Sequence, residues 1–442
     1  MLLLKIISNF VQTTFRNRPH NQLMLTNISW LSLDYIIRIG VGFFVSVWVT
    51  KYLGAEQYGK FSYASAIVTI FTAFATCGLD SILIRNLINN PMDADRLLGT
   101  AYVLKILAGL LASVMATLSI LILRPTDTAQ HWLVGIMAIG IVFQSTDVIS
   151  FWFQSKVLSK FTVIVKNTSF LLMSGVKIIL ILTQSTLFYF ALCVTIEFFI
   201  VSIGFIIIYH IDGNSMKTWH FSLQESFKLL QDSWPLIFSG IIIVIYMRID
   251  QIMLGEMISD KEVGIYTTAI RIAEVLYFIP MVTVPTFFPS IINAKKEGDV
   301  FFYKKLQQLY NLMAFLGYAV AIPITFLGPY IIEFLFGHEY SRAGPMLAVF
   351  IWAGIFTNLG VARSTFLTAM NFNKFHLVAI SSGGIVNIAL NCVLIPRYGG
   401  MGAVIASCVA YWLAAHGSCF FYKPLYKTGG MLTKAMLYPK FW

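Results

Sequence analysis

About twelve stretches of some twenty mostly apolar residues follow one another along this chain, near 23–49, 61–85, 97–123, 132–153, 161–183, 186–209, 234–257, 264–292, 303–327, 345–370, 374–395 and 402–422. Each has the length of a helix that crosses a hydrocarbon layer of about 30 Å. The separators carry turn chemistry, as in Asn89-Asn90-Pro91, Arg124-Pro125 and Pro396-Arg397-Tyr398-Gly399-Gly400. The connection from Gly328 to Gly344 is longer, and a short interfacial helix is expected over Tyr330–Phe336. Only 12% of the 442 residues are charged, against about 25% in soluble domains. A soluble core also stops growing near about 250–300 residues. Lipid therefore covers much of the surface, and the chain reads as an all-α polytopic membrane protein.

The formal net charge is +11, but the cations are scattered through short loops, which is a topology signal and not a nucleic-acid patch. Of the 31 Lys and Arg residues, nineteen fall on the side shared with the N-terminus, six on the opposite side and six inside expected helices. That asymmetry predicts that both termini are cytoplasmic. Residues 1–22 lack a basic n-region and an Ala-x-Ala-like cleavage site, so they read as a cytoplasmic amphipathic leader. Cys77, Cys193, Cys392, Cys408 and Cys419 lie inside apolar runs without metal-like spacing and read as small core residues. No phosphate loop or nucleophile elbow occurs and the connections are short, so no metal, no cofactor and no enzymatic site is expected.

The chain echoes itself. Ser29-Trp30 opens the first span and Ser233-Trp234 the seventh; Leu53-Gly54 and Leu254-Gly255 follow, then Gly59 with Phe61 and Gly264 with Tyr266. The tryptophans stand 204 residues apart. Six spans separate equivalent points, so the copies share one orientation and form a parallel repeat about an axis along the membrane normal. The expected organisation is a six-helix lobe over 23–210, a cytoplasmic linker over 211–233, a second six-helix lobe over 234–422 and a cytoplasmic tail over 423–442. Such repeats build alternating-access transporters with a cavity between lobes.

A charge at the bilayer centre costs about 2.5–3.5 kcal/mol on insertion scales, so cations inside the spans must pair, snorkel or face a cavity. Arg38 follows Asp34 by one turn, and Glu274 follows Arg271 by three residues, so both are expected to pair within their helices. Arg248 and Asp250 point to nearly opposite faces; Asp250 is expected to meet Arg271, and Arg248 to face the cavity. Lys177 and Arg363 divide between snorkelling and cavity lining, and Lys105 is expected to snorkel. Glu197 sits mid-helix without a basic residue on its own helix. Asp147 shares a polar stripe with Gln144 and Gln154. These two acids, with Asp250, Asp34 and Glu274 beside them, are candidates for a proton-coupling or a structural role. Asp80 reads as a helix-end residue near Arg85. Guanidinium forks bind phosphate and carboxylate in bidentate fashion, which favours an anionic cargo.

Two stretches carry a resemblance. One is Tyr52-Leu53-Gly54-Ala55-Glu56-Gln57-Tyr58-Gly59-Lys60-Phe61-Ser62, leading to Cys77-Gly78-Leu79-Asp80-Ser81 and Arg85. The other runs from Tyr246-Met247-Arg248-Ile249-Asp250-Gln251-Ile252-Met253-Leu254-Gly255 through Val263-Gly264-Ile265-Tyr266 and Arg271 to Tyr277-Phe278-Ile279-Pro280 and Phe288-Pro289-Ser290-Ile291. They resemble the polysaccharide-transporter (O-antigen flippase) family of the multidrug/oligosaccharidyl-lipid/polysaccharide exporter superfamily. Phe151-Trp152-Phe153-Gln154 is also similar, although the Ser155-Lys156 that follows departs from the family's usual Gly and acid. The resemblance implies a two-lobed, V-shaped bundle in a bacterial inner membrane. It would flip a polyprenyl-diphosphate-linked oligosaccharide to the periplasmic leaflet, with Arg38, Arg248 and Arg271 meeting the diphosphate. Membrane lipid and other polysaccharide assembly proteins would be its partners.

Two alternatives stand beside that reading: a multidrug or organic-cation antiporter on the same fold, and a membrane assembly protein that transports nothing. The topology is open to a direct check in intact cells, in a background freed of native cysteines. A cysteine placed at Ser215 is expected to resist an impermeant thiol reagent and one at Ser259 to react; labelling at Ser215 would overturn the orientation.

Overall fold

The computed structural model describes residues 20–438, apart from 276 and 371 and the side chains of 20–29, 31–33, 289 and 373. The leader expected over 1–22 thus lies almost wholly outside the described residues. Sixteen α-helices and no strand occur among the described residues. They are α1 His20–Ala75, α2 Asp80–Asn89, α3 Ala94–Leu123, α4 Thr128–Phe143, α5 Asp147–Ser155, α6 Ser159–Leu182, α7 Leu187–Ile211 and α8 Leu223–Met257. There follow α9 Asp260–Val275, α10 Phe278–Glu297, α11 Asp299–Phe336, α12 Ala343–Phe350, α13 Ala353–Ala369, α14 Asn373–Tyr398, α15 Gly400–Ala415 and α16 Tyr426–Leu437.

Among the described residues, ten helical segments are long and apolar enough to cross a membrane. The first, Asp34–Asn89, has 56 residues, far more than the roughly 20 that one crossing needs. Gly54 divides it, with φ 69° and ψ 169°, a backbone conformation that a side chain would strain. With that segment counted as two crossings and the shorter apolar α15 as another, the chain is a multi-pass α-helical membrane protein with about twelve spans. The interfacial helix expected over Tyr330–Phe336 does not exist as a separate element. Helix α11 runs unbroken to Phe336 and carries Pro323 and Pro329 within it.

Two spans are interrupted, one in each half of the chain. Between α4 and α5 the 3-10 turn Gln144–Thr146 breaks the fourth span, and between α12 and α13 the break falls at Ile351–Trp352. A 3-10 stretch inside a helix re-aims the side chains that flank it and often marks a functional position.

The helices fall into two compact units. One takes the chain up to Val49 and from Ile67 to Ile241; the other takes Thr50–Ala66 and everything from Ile242 onward. The first unit is built around Leu83, Leu98, Val148, Ile149, Phe153 and Phe205. The second is built around Leu306, Leu309, Tyr310, Met313, Leu359 and Leu432. The last of these comes from α16, so the stretch read as a tail contains a packed helix. Its Met431 and Met436 carbonyls accept from Gln307 at 3.1 Å and Tyr318 at 2.9 Å.

Within the second unit the Thr50–Ala66 segment lies backbone to backbone against α9. A Cβ on Gly59 would stand 1.7 Å from the Asp260 carbonyl oxygen, and one on Gly264 would stand 2.0 Å from that of Ala55. The two glycines of the sequence echo thus meet in one contact that neither could make with a side chain. The same segment is tied down by Glu339, which accepts from Ala55 N–H at 2.9 Å, and by Tyr63, which donates to Glu256 at 2.7 Å.

Candidate functional site

In the first unit, Arg38 donates to Asp34 at 2.8 Å, the expected one-turn pair, and its guanidinium carbon lies 5.3 Å from the Phe170 ring centroid. Glu197 on α7 is not a lone carboxyl, because Lys177 reaches it from α6 at 3.6 Å. The partner is one helix away, where a reading confined to one helix does not look. The same pair ties Lys177, expected to snorkel or to line the cavity, to α7. Asp147 is met in the same way by Lys166 of α6, at 3.9 Å.

The polar stripe Gln144, Asp147 and Gln154 lines a cavity of about 140 Å³ inside this unit, together with Asp80, Lys105 and Lys166. Lys105 does not snorkel to the surface. It is 4% exposed and its ammonium lies 5.1 Å from the Phe151 ring centroid, a cation held by an aromatic face. Asp80, read as a helix-end residue, does open α2, yet it also faces this cavity.

In the second unit, Asp250 does not meet Arg271. Its carboxylate is 3% exposed and accepts from Tyr266 Oη of α9 at 2.6 Å, from Asn391 Nδ2 of α14 at 2.5 Å and from Ser407 Oγ of α15. Asn391 also donates to Asn387 at 3.2 Å, while its own Oδ1 is buried without a hydrogen-bond partner. Four helices thus converge on one carboxyl, and its bonded neighbours among the described residues are all neutral. Burying a carboxylate without a countercharge is costly. The three donated hydrogen bonds offset part of that cost, because donors aimed at a carboxylate favour its charged form. The described residues contain no group of three His, Cys, Asp or Glu able to hold a metal.

The expected Arg271–Glu274 pair is replaced by another. Glu274 lies 3.5 Å from Arg248, on the neighbouring α8. Arg248, expected to face the cavity, thus takes the acid expected to pair with Arg271, which leaves Arg271 exposed with no ion pair among the described residues. Arg363 is 1% exposed and donates to Ser418 at 2.9 Å and Cys419 at 3.4 Å, so it does not snorkel. It borders a mostly apolar cavity of about 350 Å³ with Tyr246, Tyr277, His376 and Tyr411. Asn387, Asn391 and Ser407 are absent from the sequence-based candidates. Their signal was present: Asn387 and Asn391 stand one turn apart on one face of an apolar helix.

A sequence profile of a family described as "Polysaccharide biosynthesis protein" matches residues 24–293, more than half of the chain. The capsular polysaccharide biosynthesis protein CapF of Staphylococcus aureus is 23% identical over 200 residues, covering 43% of this chain and 49% of that protein. The probable low-salt glycan biosynthesis flippase Agl15 of Haloferax volcanii is 21% identical over 170 residues, covering 38% and 35%. These alignments span about half or less of each relative's length. Among solved structures, lipid II flippase MurJ in an inward closed conformation superposes with a TM-score of 0.74 at 15% identity, over 93% of this chain and 91% of that one.

The convergence on Asp250 has a measurable consequence. Replacing Asp250 with Ala strips three buried donors of their acceptor, each at a cost of about 1–3 kcal/mol. The thermal midpoint of the detergent-purified chain is expected to fall clearly for Asp250→Ala and to hold for Arg271→Ala. Equal midpoints would contradict the bonding described.

Proposed function

The chain belongs to the polysaccharide biosynthesis protein family, and from that premise we propose that it flips a polyprenyl-diphosphate-linked oligosaccharide, such as an O-antigen or exopolysaccharide repeat unit, across the cytoplasmic membrane by alternating access. The observation that carries this reading is Arg271. It is exposed without an ion pair among the described residues, about 17 Å along α9 from Asp260. A guanidinium at that depth is not stable against hydrocarbon, and its fork suits a diphosphate. Arg248, held only loosely by Glu274 at 3.5 Å, can exchange that carboxylate for a phosphate oxygen. The cytoplasmic placement of both termini and the membrane lipid around the isoprenoid tail belong to the same proposal.

Asp250 replaces Glu197 as the coupling carboxyl. Glu197 has Lys177 beside it, whereas Asp250 is buried with only neutral bonded neighbours, the place where uptake of a proton or a small cation changes the local charge most. The test is export in cells with protein levels matched. Arg248→Ala and Arg271→Ala are expected to lower glycan export by about tenfold or more and to leave glycolipid in the cytoplasmic leaflet, with Lys217→Ala unaffected. Asp250→Asn is expected to remove the response to a collapsed ion gradient. Native export by both arginine variants would sink the proposal.

A further inference from the structure

We propose that the polar cavity inside the first unit is a subsite for one neutral sugar ring, resting on the reading of the cargo as a lipid-linked glycan. Its walls carry Asp80, Lys105, Gln144, Asp147, Ser150 and Lys166. Two carboxylates and two ammonium groups cancel, so neither an anion nor a cation gains net attraction there. Hydrogen-bond capacity remains, with acceptors and donors on the same walls.

Some of that capacity is unspent. Ser150 is 1% exposed and its hydroxyl oxygen is buried without a hydrogen-bond partner. Lys105 is 4% exposed, borders the cavity beside Asp80 and the Phe151 ring, and makes no side-chain hydrogen bond or salt bridge among the described residues. Both are groups that desolvation penalises unless something bonds to them. The volume is also limiting. A cavity of about 150 Å³ accommodates a single benzene ring, and this one is about 140 Å³ and partly open. One six-membered ring fits, with part of its hydroxyl rim against the polar walls and the rest at the open side; a chain of rings does not. The Phe151 ring adds an apolar face to the polar walls.

Position supports the assignment. The 3-10 turn Gln144–Thr146 interrupts its span at this cavity and aims Gln144 and Asp147 into it. The neighbouring loops, 90–93 and 156–158, lie on the side that the basic residues assign to the cytoplasm. A sugar loaded from that side meets this subsite early in its passage.

The test uses the full chain in lipid nanodiscs and two probes: undecaprenyl diphosphate, and the glycolipid pool extracted from cells deleted for the gene. Gln144→Ala and Asp147→Asn are each expected to weaken glycolipid binding by about tenfold and to leave undecaprenyl diphosphate binding unchanged, with native melting behaviour. Equal weakening of both probes, or unchanged glycolipid binding in both variants, would overturn the subsite. Failure of the unaltered chain to bind either probe would instead overturn the cargo reading on which it rests.

Discussion

A peptide N–H or C=O left unpaired in hydrocarbon costs several kcal/mol, so a chain that crosses a bilayer repeatedly has to close its backbone hydrogen bonds within each segment. The exclusively helical character of the described residues follows from that constraint. So does the placement of irregular backbone. The breaks within spans fall at Gly54, at Gln144–Thr146 and at Ile351–Trp352. The first lies in the segment bound by Glu339 and the second borders a polar cavity. Irregularity is tolerated where protein or a cavity surrounds it.

The same constraint governs charge. Arg38 with Asp34, Lys177 with Glu197, Lys166 with Asp147 and Arg248 with Glu274 each bring opposite charges together inside the spans. Among the described residues that lack an ion pair, two stand in opposite settings. Asp250 is surrounded by neutral donors from three other helices, and Arg271 is exposed with no ion pair among the described residues. Departures of this kind are where an intramembrane charge reads as functional. One departure suits a titratable or cation-holding element, the other an anionic cargo.

Fold class was legible in the sequence because it depends on segment length and composition, which are local. So was the Arg38–Asp34 pair, since one helical turn fixes its geometry wherever the helix sits. Arg271 and Glu274 had the same local credentials, yet Arg248 from the next helix took the acid. Lys177 and Glu197 stand 20 residues apart and Lys166 and Asp147 stand 19 apart, on different helices. Sequence spacing cannot see such contacts, because helix packing alone sets them. The Asp250 cluster is the extreme case: Asn391 and Ser407 lie 141 and 157 residues away. What could be read was its surface trace, two asparagines one turn apart in an otherwise apolar helix.

The central claim is that this chain carries a lipid-linked glycan from one leaflet to the other. Reconstitution of the purified chain into vesicles, with the glycolipid from gene-deleted cells in both leaflets, tests it most directly. An impermeant reagent that modifies the sugar reaches only the outer leaflet, about half of the pool, in protein-free vesicles. In vesicles containing the chain it is expected to consume nearly all of the glycolipid, as inner-leaflet molecules are brought out. Consumption that stops at the protein-free level, with vesicles intact and the chain folded, would contradict the account.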